Sequence, residues 1–102
     1  MKEHMYDGMK FNWNETKAMI NERKHNVTFE EAATAFSDMN AHLYDDDEHS
    51  QNEERFILLG YSKISRLLVI CHCYRSSDND VVRIISARKA EPSERKLYEE
   101  RG

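Results

Sequence analysis

The segment Val81-Val82-Arg83-Ile84-Ile85-Ser86-Ala87-Arg88-Lys89-Ala90 joins the apolar run of a β-strand to three cations and a hydroxyl. Guanidinium groups offer a planar fork of donors that matches phosphate oxygens, and an ammonium adds a point charge. A rigid strand presenting Arg83, Ser86, Arg88 and Lys89 therefore suggests a surface for phosphate or RNA. Strand alternation places Arg83, Ile85, Ala87 and Lys89 on one face and Ile84, Ser86 and Arg88 on the other. Which face meets the helices is not given by the pattern. The competing structural reading is that the charges protect an edge or pair with Glu91 or Glu94.

Cys71-His72-Cys73 could in principle ligate a metal, but zinc takes about four ligands, usually from separated pairs. One tight cluster, with His72 opposite the two thiols, reads better as packed small hydrophobes, and no metal or other cofactor is expected. If Val69, Cys71 and Cys73 face the core, Ile70, His72 and Tyr74 face outward. There a histidine and a tyrosine could move protons or stack on bases. Lys24 and His25 suit a helix C-terminus. His42 and His49 lie in or beside an acidic stretch with no identifiable partner, and that stretch lacks the alternating ligands and glycine of a calcium loop.

These side chains must be positioned by the elements around them. Residues 1–8 read as a flexible leader, with Met9 as an alternative start, and 9–102 as a single domain. Phe11 and Trp13 alternate with polar neighbours, as in a short strand or anchored extended segment. Asn14 is an N-cap for a helix over 15–25, and Asn26 suits the left-handed residue that ends it. Thr28-Phe29-Glu30-Glu31 is a capping box, and Phe29, Ala32, Ala33 and Phe36 follow at core-facing helical spacing. Residues 37–44 could form a short strand with Ala41, Leu43 and Tyr44 giving apolar contact. Residues 45–54 form an acidic loop. Strands are predicted over Arg55–Tyr61, Arg66–Tyr74 and Val81–Lys89, joined by hairpin turns at 63–65 and 76–80. Pro92 opens a last helix. The expected fold is α+β: two N-terminal helices on one face of a small antiparallel sheet of three to four strands, then a C-terminal helix.

The 102 residues carry a formal net charge of −4, with 39% hydrophobic and 33% charged residues. The apolar residues cluster in blocks, which argues against disorder. The charge is segregated: residues 1–54 hold five Lys/Arg against thirteen Asp/Glu, and residues 55–102 hold ten against six. An acidic chain can thus present one basic face. No apolar run could span a membrane, and two cysteines one residue apart suit a reducing cytoplasm rather than a disulfide framework.

The blocks F-N-W-N-E-T-K (11–17), N-E-R-K-H-N-V-T-F-E-E-A (21–32), E-E-R-F-I-L-L-G (53–60), R-L-L-V-I-C-H-C-Y-R (66–75), R-I-I-S-A-R-K-A (83–90) and E-R-K-L-Y (94–98) together resemble the BrnT family, toxins of bacterial type II toxin–antitoxin systems. The chain departs from the family in its first eight residues and in Asn26, where glycine is common. The resemblance implies a RelE-like ribonuclease that cuts RNA, free or on the ribosome, and so halts translation. It implies a BrnA-like antitoxin with a ribbon-helix-helix DNA-binding domain, through which alone operator DNA is bound. RelE-type cleavage needs no metal: a ribose 2′-hydroxyl attacks the adjacent phosphate. Arg55, His72 and Arg88 are the expected catalytic set, with His72 as proton carrier. Lys17, Arg75, Arg83, Ser86, Lys89 and Tyr98 are expected to bind RNA, and Trp13 is a weaker stacking candidate. The alternative is an inactive, toxin-like corepressor that only binds its antitoxin.

Overall fold

The computed structural model describes residues 1–75 and 80–100. Six strands form one mixed sheet: β1 (Glu3–Tyr6), β2 (Met9–Asn12), β3 (His42–Asp45), β4 (Phe56–Tyr61), β5 (Leu67–Arg75) and β6 (Val81–Lys89), in the order β1-β2-β6-β5-β4-β3. Three helices accompany them: α1 (Glu15–His25), α2 (Phe29–Thr34) and α3 (Pro92–Glu100). The architecture is α+β as expected, but the sheet is larger than the three to four strands predicted and is not wholly antiparallel. β2 runs parallel to β6, with Phe11 opposite Val82, while the other neighbours are antiparallel.

The extra strands come from the N-terminus. Glu3–Tyr6, read from sequence as part of a leader, pair with β2 through the turn Asp7-Gly8, whose φ angles are 52° and 81°. Two successive positive φ values are the requirement of a tight hairpin turn, and Asp-Gly is a favoured pair for it. Trp13 lies just beyond β2, buried, with the His4 ring stacked on it at 4.0 Å between centroids.

Local signals place the helices. The Asn14 side chain accepts from the Lys17 amide, and Asn26 at φ 57° ends α1. The Thr28 hydroxyl accepts from the Glu31 amide. α2 stops at Thr34 and tightens into a 3-10 turn over Ala35–Ser37, which carries Phe36 onto the core. In β3 the expected inward Leu43 is exposed and His42 is buried instead. The turn predicted at 76–80 lies outside the described residues except for Asp80.

Two apolar clusters occupy opposite faces of the sheet. Phe11, Leu58, Leu68, Ile70, Val82, Ile84 and Ala87 meet α1 and α2 residues in the main core. Leu59, Leu67 and Val69 form a smaller cluster with Tyr44, Ile57, Tyr61 and Tyr98, so α3 covers the second face at one end. Helices therefore lie on both faces, not one. No helix among the described residues is long and apolar enough to cross a membrane.

Candidate active site on the second sheet face

A β-bulge decides which side chains reach this face. Cys71 lies opposite Ser86 and His72 opposite Ile84, so β6 carries one extra residue at that point. Directly opposed residues point the same way. Arg83 (opposite Cys73), Ser86 (opposite Cys71) and Arg88 (opposite Val69) thus share the second face. Plain alternation separates Arg83 from Ser86 and Arg88; the bulge unites them. Lys89, opposite Leu68, goes to the face of α1 and α2 and takes no place in this group.

The same register reverses the expectation for β5. Ile70 and His72 are fully buried in the core beneath Phe36 and beside Phe56 and Tyr74. His72 Nδ1 donates to the Ile70 carbonyl at 3.2 Å, while Nε2 is buried without a partner among the described residues. Burial pushes its pKa down to about 4, so the ring is neutral. A ring with no exposed surface has no route to an RNA phosphate, and His72 is a core residue here. Cys71 and Cys73 are free thiols on the other face; desolvation pushes the Cys71 thiol up to about 11.

Between β4–β6 and the segment that follows β3 lies a cleft of about 450 Å³. Cys71, Ser86 and Arg88 line it from the strands, Arg55 from just before β4, and Asp46 and His49 from the loop. Arg88 is gripped by Glu94 of α3 in a bidentate pair at 2.8 and 2.7 Å, with Glu91 at 4.0 Å, so the pairing weighed against a phosphate role is realised. Glu53 stands between Arg55 and Arg75 at 3.8 and 3.4 Å. The Nε groups of both arginines are nonetheless buried without a hydrogen-bond partner among the described residues. Arg83 Nε donates to Asn12 at 3.3 Å.

A shallower groove of about 220 Å³ adjoins the cleft and shares Ile85 and Ser86 with it. Its other wall is α1, through Lys17, Ile20, Lys24 and His25. The sequence favours Lys24 and His25 as cations at a helix C-terminus over a catalytic role. Tyr98 is not free to stack on RNA: its ring lies parallel to His42, and its hydroxyl donates to Asp38 at 2.7 Å. Burial and that carboxylate push the phenol up to about 12. Trp13 is likewise in the core.

The feature that sequence reasoning missed is Asp46 with His49. A 3-10 turn over Asp47–His49 folds His49 Nδ1 back to both Asp46 carboxylate oxygens, at 3.1 and 3.0 Å. Only the spacing of three residues within the acidic run hinted at it. Among the described residues no group of three or more His, Cys, Asp or Glu is arranged to hold a metal ion.

The protein is thus a small α+β protein with an arginine-lined cleft on one face of its sheet. Residues 13–94 match the family model described as the ribonuclease toxin BrnT of type II toxin–antitoxin systems. The chain belongs to the BrnT family. No curated protein matches it.

Proposed function

We propose that this protein is an endoribonuclease toxin that cuts RNA by attack of a ribose 2′-hydroxyl on the neighbouring phosphate, without a metal, and thereby stops translation. The observation that carries the reading is the bulge that gathers Arg83, Ser86 and Arg88 on one face beside Arg55. In this reading Arg55 and Arg88 hold the scissile phosphate and stabilise the extra charge of the pentacovalent transition state, with Ser86 donating beside them. Arg83, Arg75 and Lys17 follow the flanking backbone, with Lys24 extending the track along α1.

As in other type II systems, an antitoxin neutralises the protein; we assign it the BrnA-like type, with a ribbon-helix-helix domain that carries the complex to operator DNA. The test is cleavage of total bacterial RNA in excess chelator, and of messenger RNA in a translating extract. Cuts leaving cyclic or 3′-phosphate ends are expected, and Arg55→Ala and Arg88→Ala should each lower the rate by about 10²-fold or more. Intact RNA in both mixtures would overturn the reading.

A second reading is favoured by Glu94 and Glu53, which already pair with the cations that RNA needs. In it the protein is an inactive corepressor. Tight antitoxin binding with no effect on growth or RNA would select it.

A further inference from the structure

The burial of His72 leaves the proposed cleavage without the proton carrier expected from sequence, and the cleft supplies another. Resting on the ribonuclease reading above, we propose that His49 is the general base of the cleft and that Asp46 is its positioning residue. Asp46 is held from several sides. Its amide donates to the Arg55 carbonyl at 2.9 Å, and its own carbonyl accepts from the Ser50 hydroxyl at 2.6 Å. The Cys71 thiol points at Oδ2 from 3.6 Å. The Asp46 side chain is only 8% exposed, whereas that of His49 is 61% exposed.

A buried, anchored carboxylate that takes both oxygens to one ring nitrogen fixes the imidazole in orientation and tautomer. Nδ1 carries the proton toward Asp46, and Nε2 is left as the basic nitrogen. Nε2 has no hydrogen-bond partner among the described residues. The groups that face this pair are Glu48 on its own turn, Arg55 immediately before β4, Cys71 on β5 and Ser86 and Arg88 on β6, all lining one cleft. A base beside two guanidinium groups is the complement that phosphoryl transfer to a 2′-hydroxyl requires.

In the step, His49 Nε2 takes the proton of the 2′-hydroxyl. The O2′–P bond forms and the P–O5′ bond breaks. The bonding electron pair leaves on O5′, which takes a proton from water in the open cleft, and His49 returns its proton to solvent. The products are a 2′,3′-cyclic phosphate and a 5′-hydroxyl.

The test is single-turnover cleavage of a 5′-labelled messenger RNA, free or ribosome-bound as the wild type requires, measured against pH. His49→Ala should lower the rate by about 10²-fold or more and abolish the acid limb of the profile. Affinity for a non-cleavable 2′-deoxy analogue should be unchanged, and added imidazole should restore part of the rate. Asp46→Asn should lower the rate and displace the acid limb, while His49→Gln, which keeps a polar contact to Asp46, should stay folded and as slow as His49→Ala. Wild-type rate and pH profile in folded His49→Ala would overturn the assignment while leaving the ribonuclease reading intact. An inert wild type would overturn both.

Discussion

The carboxamide of Asn21 hydrogen-bonds both backbone groups of Ala87: Oδ1 accepts from its amide at 3.0 Å, and Nδ2 donates to its carbonyl at 2.8 Å. β2 pairs with β6 only as far as Arg83, so among the described residues no strand lies beside the rest of that edge. Asn21 supplies what a strand would and is buried in doing so. Nδ2 also donates to the Val27 carbonyl at 3.0 Å. Asn21→Ala would strand these groups inside the protein. A loss of about 2–3 kcal/mol is expected, read as a drop in Tm of roughly 10 °C or more. Asn21→Asp, which turns an oxygen toward the Ala87 carbonyl, should not recover it.

His72 makes stability depend on pH in a defined window. Its pKa falls from 6.5 unfolded to about 4 folded, so the unfolded chain binds more protons between those values. The stabilisation from keeping the ring neutral is fully present above the unfolded pKa and drains away as the pH falls toward the folded one. It is on the order of 3 kcal/mol in all. Chemical denaturation across this range should show the slope, and His72→Phe should flatten it. An unchanged slope would place the protonation elsewhere.

Glu94 both caps and restrains. It accepts from the Glu91 amide at 2.8 Å while it holds Arg88. Glu94→Gln keeps an acceptor for the cap and removes the charge facing Arg88. Affinity for single-stranded RNA should rise several-fold and its salt dependence should steepen by about one phosphate contact. Glu53→Gln should act in the same direction through Arg55 and Arg75. Unchanged affinity in both variants would count against Glu94 and Glu53 as restraints on these arginines.

Deleting residues 1–8 should cost stability, on the order of 1–3 kcal/mol, because β1 pairs along β2 and His4 covers Trp13. A dispensable leader would leave Tm unchanged. Gly8→Ala forces a side chain into φ 81° and should cost roughly 1 kcal/mol without touching the cleft.

The helix boundaries at Asn14, Asn26 and Thr28, the strands β4 to β6 and the Pro92 start of α3 were all legible in the chain, because each depends on hydrogen bonds and steric limits within a few residues. The family was legible too, from blocks in fixed order. The Asp7-Gly8 hairpin carried a local signal that the polar neighbourhood obscured. The facing of the strands was not legible. Alternation along β6 predicts two faces, but the bulge shifts its phase midway, and the bulge arises from pairing with β5. His72 and Cys71 exchanged places for a different reason: which face of β5 is core depends on where α1 and α2 dock. The parallel pairing of β2 with β6, the closure of Asn21 on Ala87 across 66 residues and the descent of Glu94 onto Arg88 are likewise products of tertiary packing. Local sequence preferences act over a turn or two. The cleft that contains Arg55, Arg88 and His49 is assembled by contacts between segments far apart in the chain, and only the folded structure brings them together.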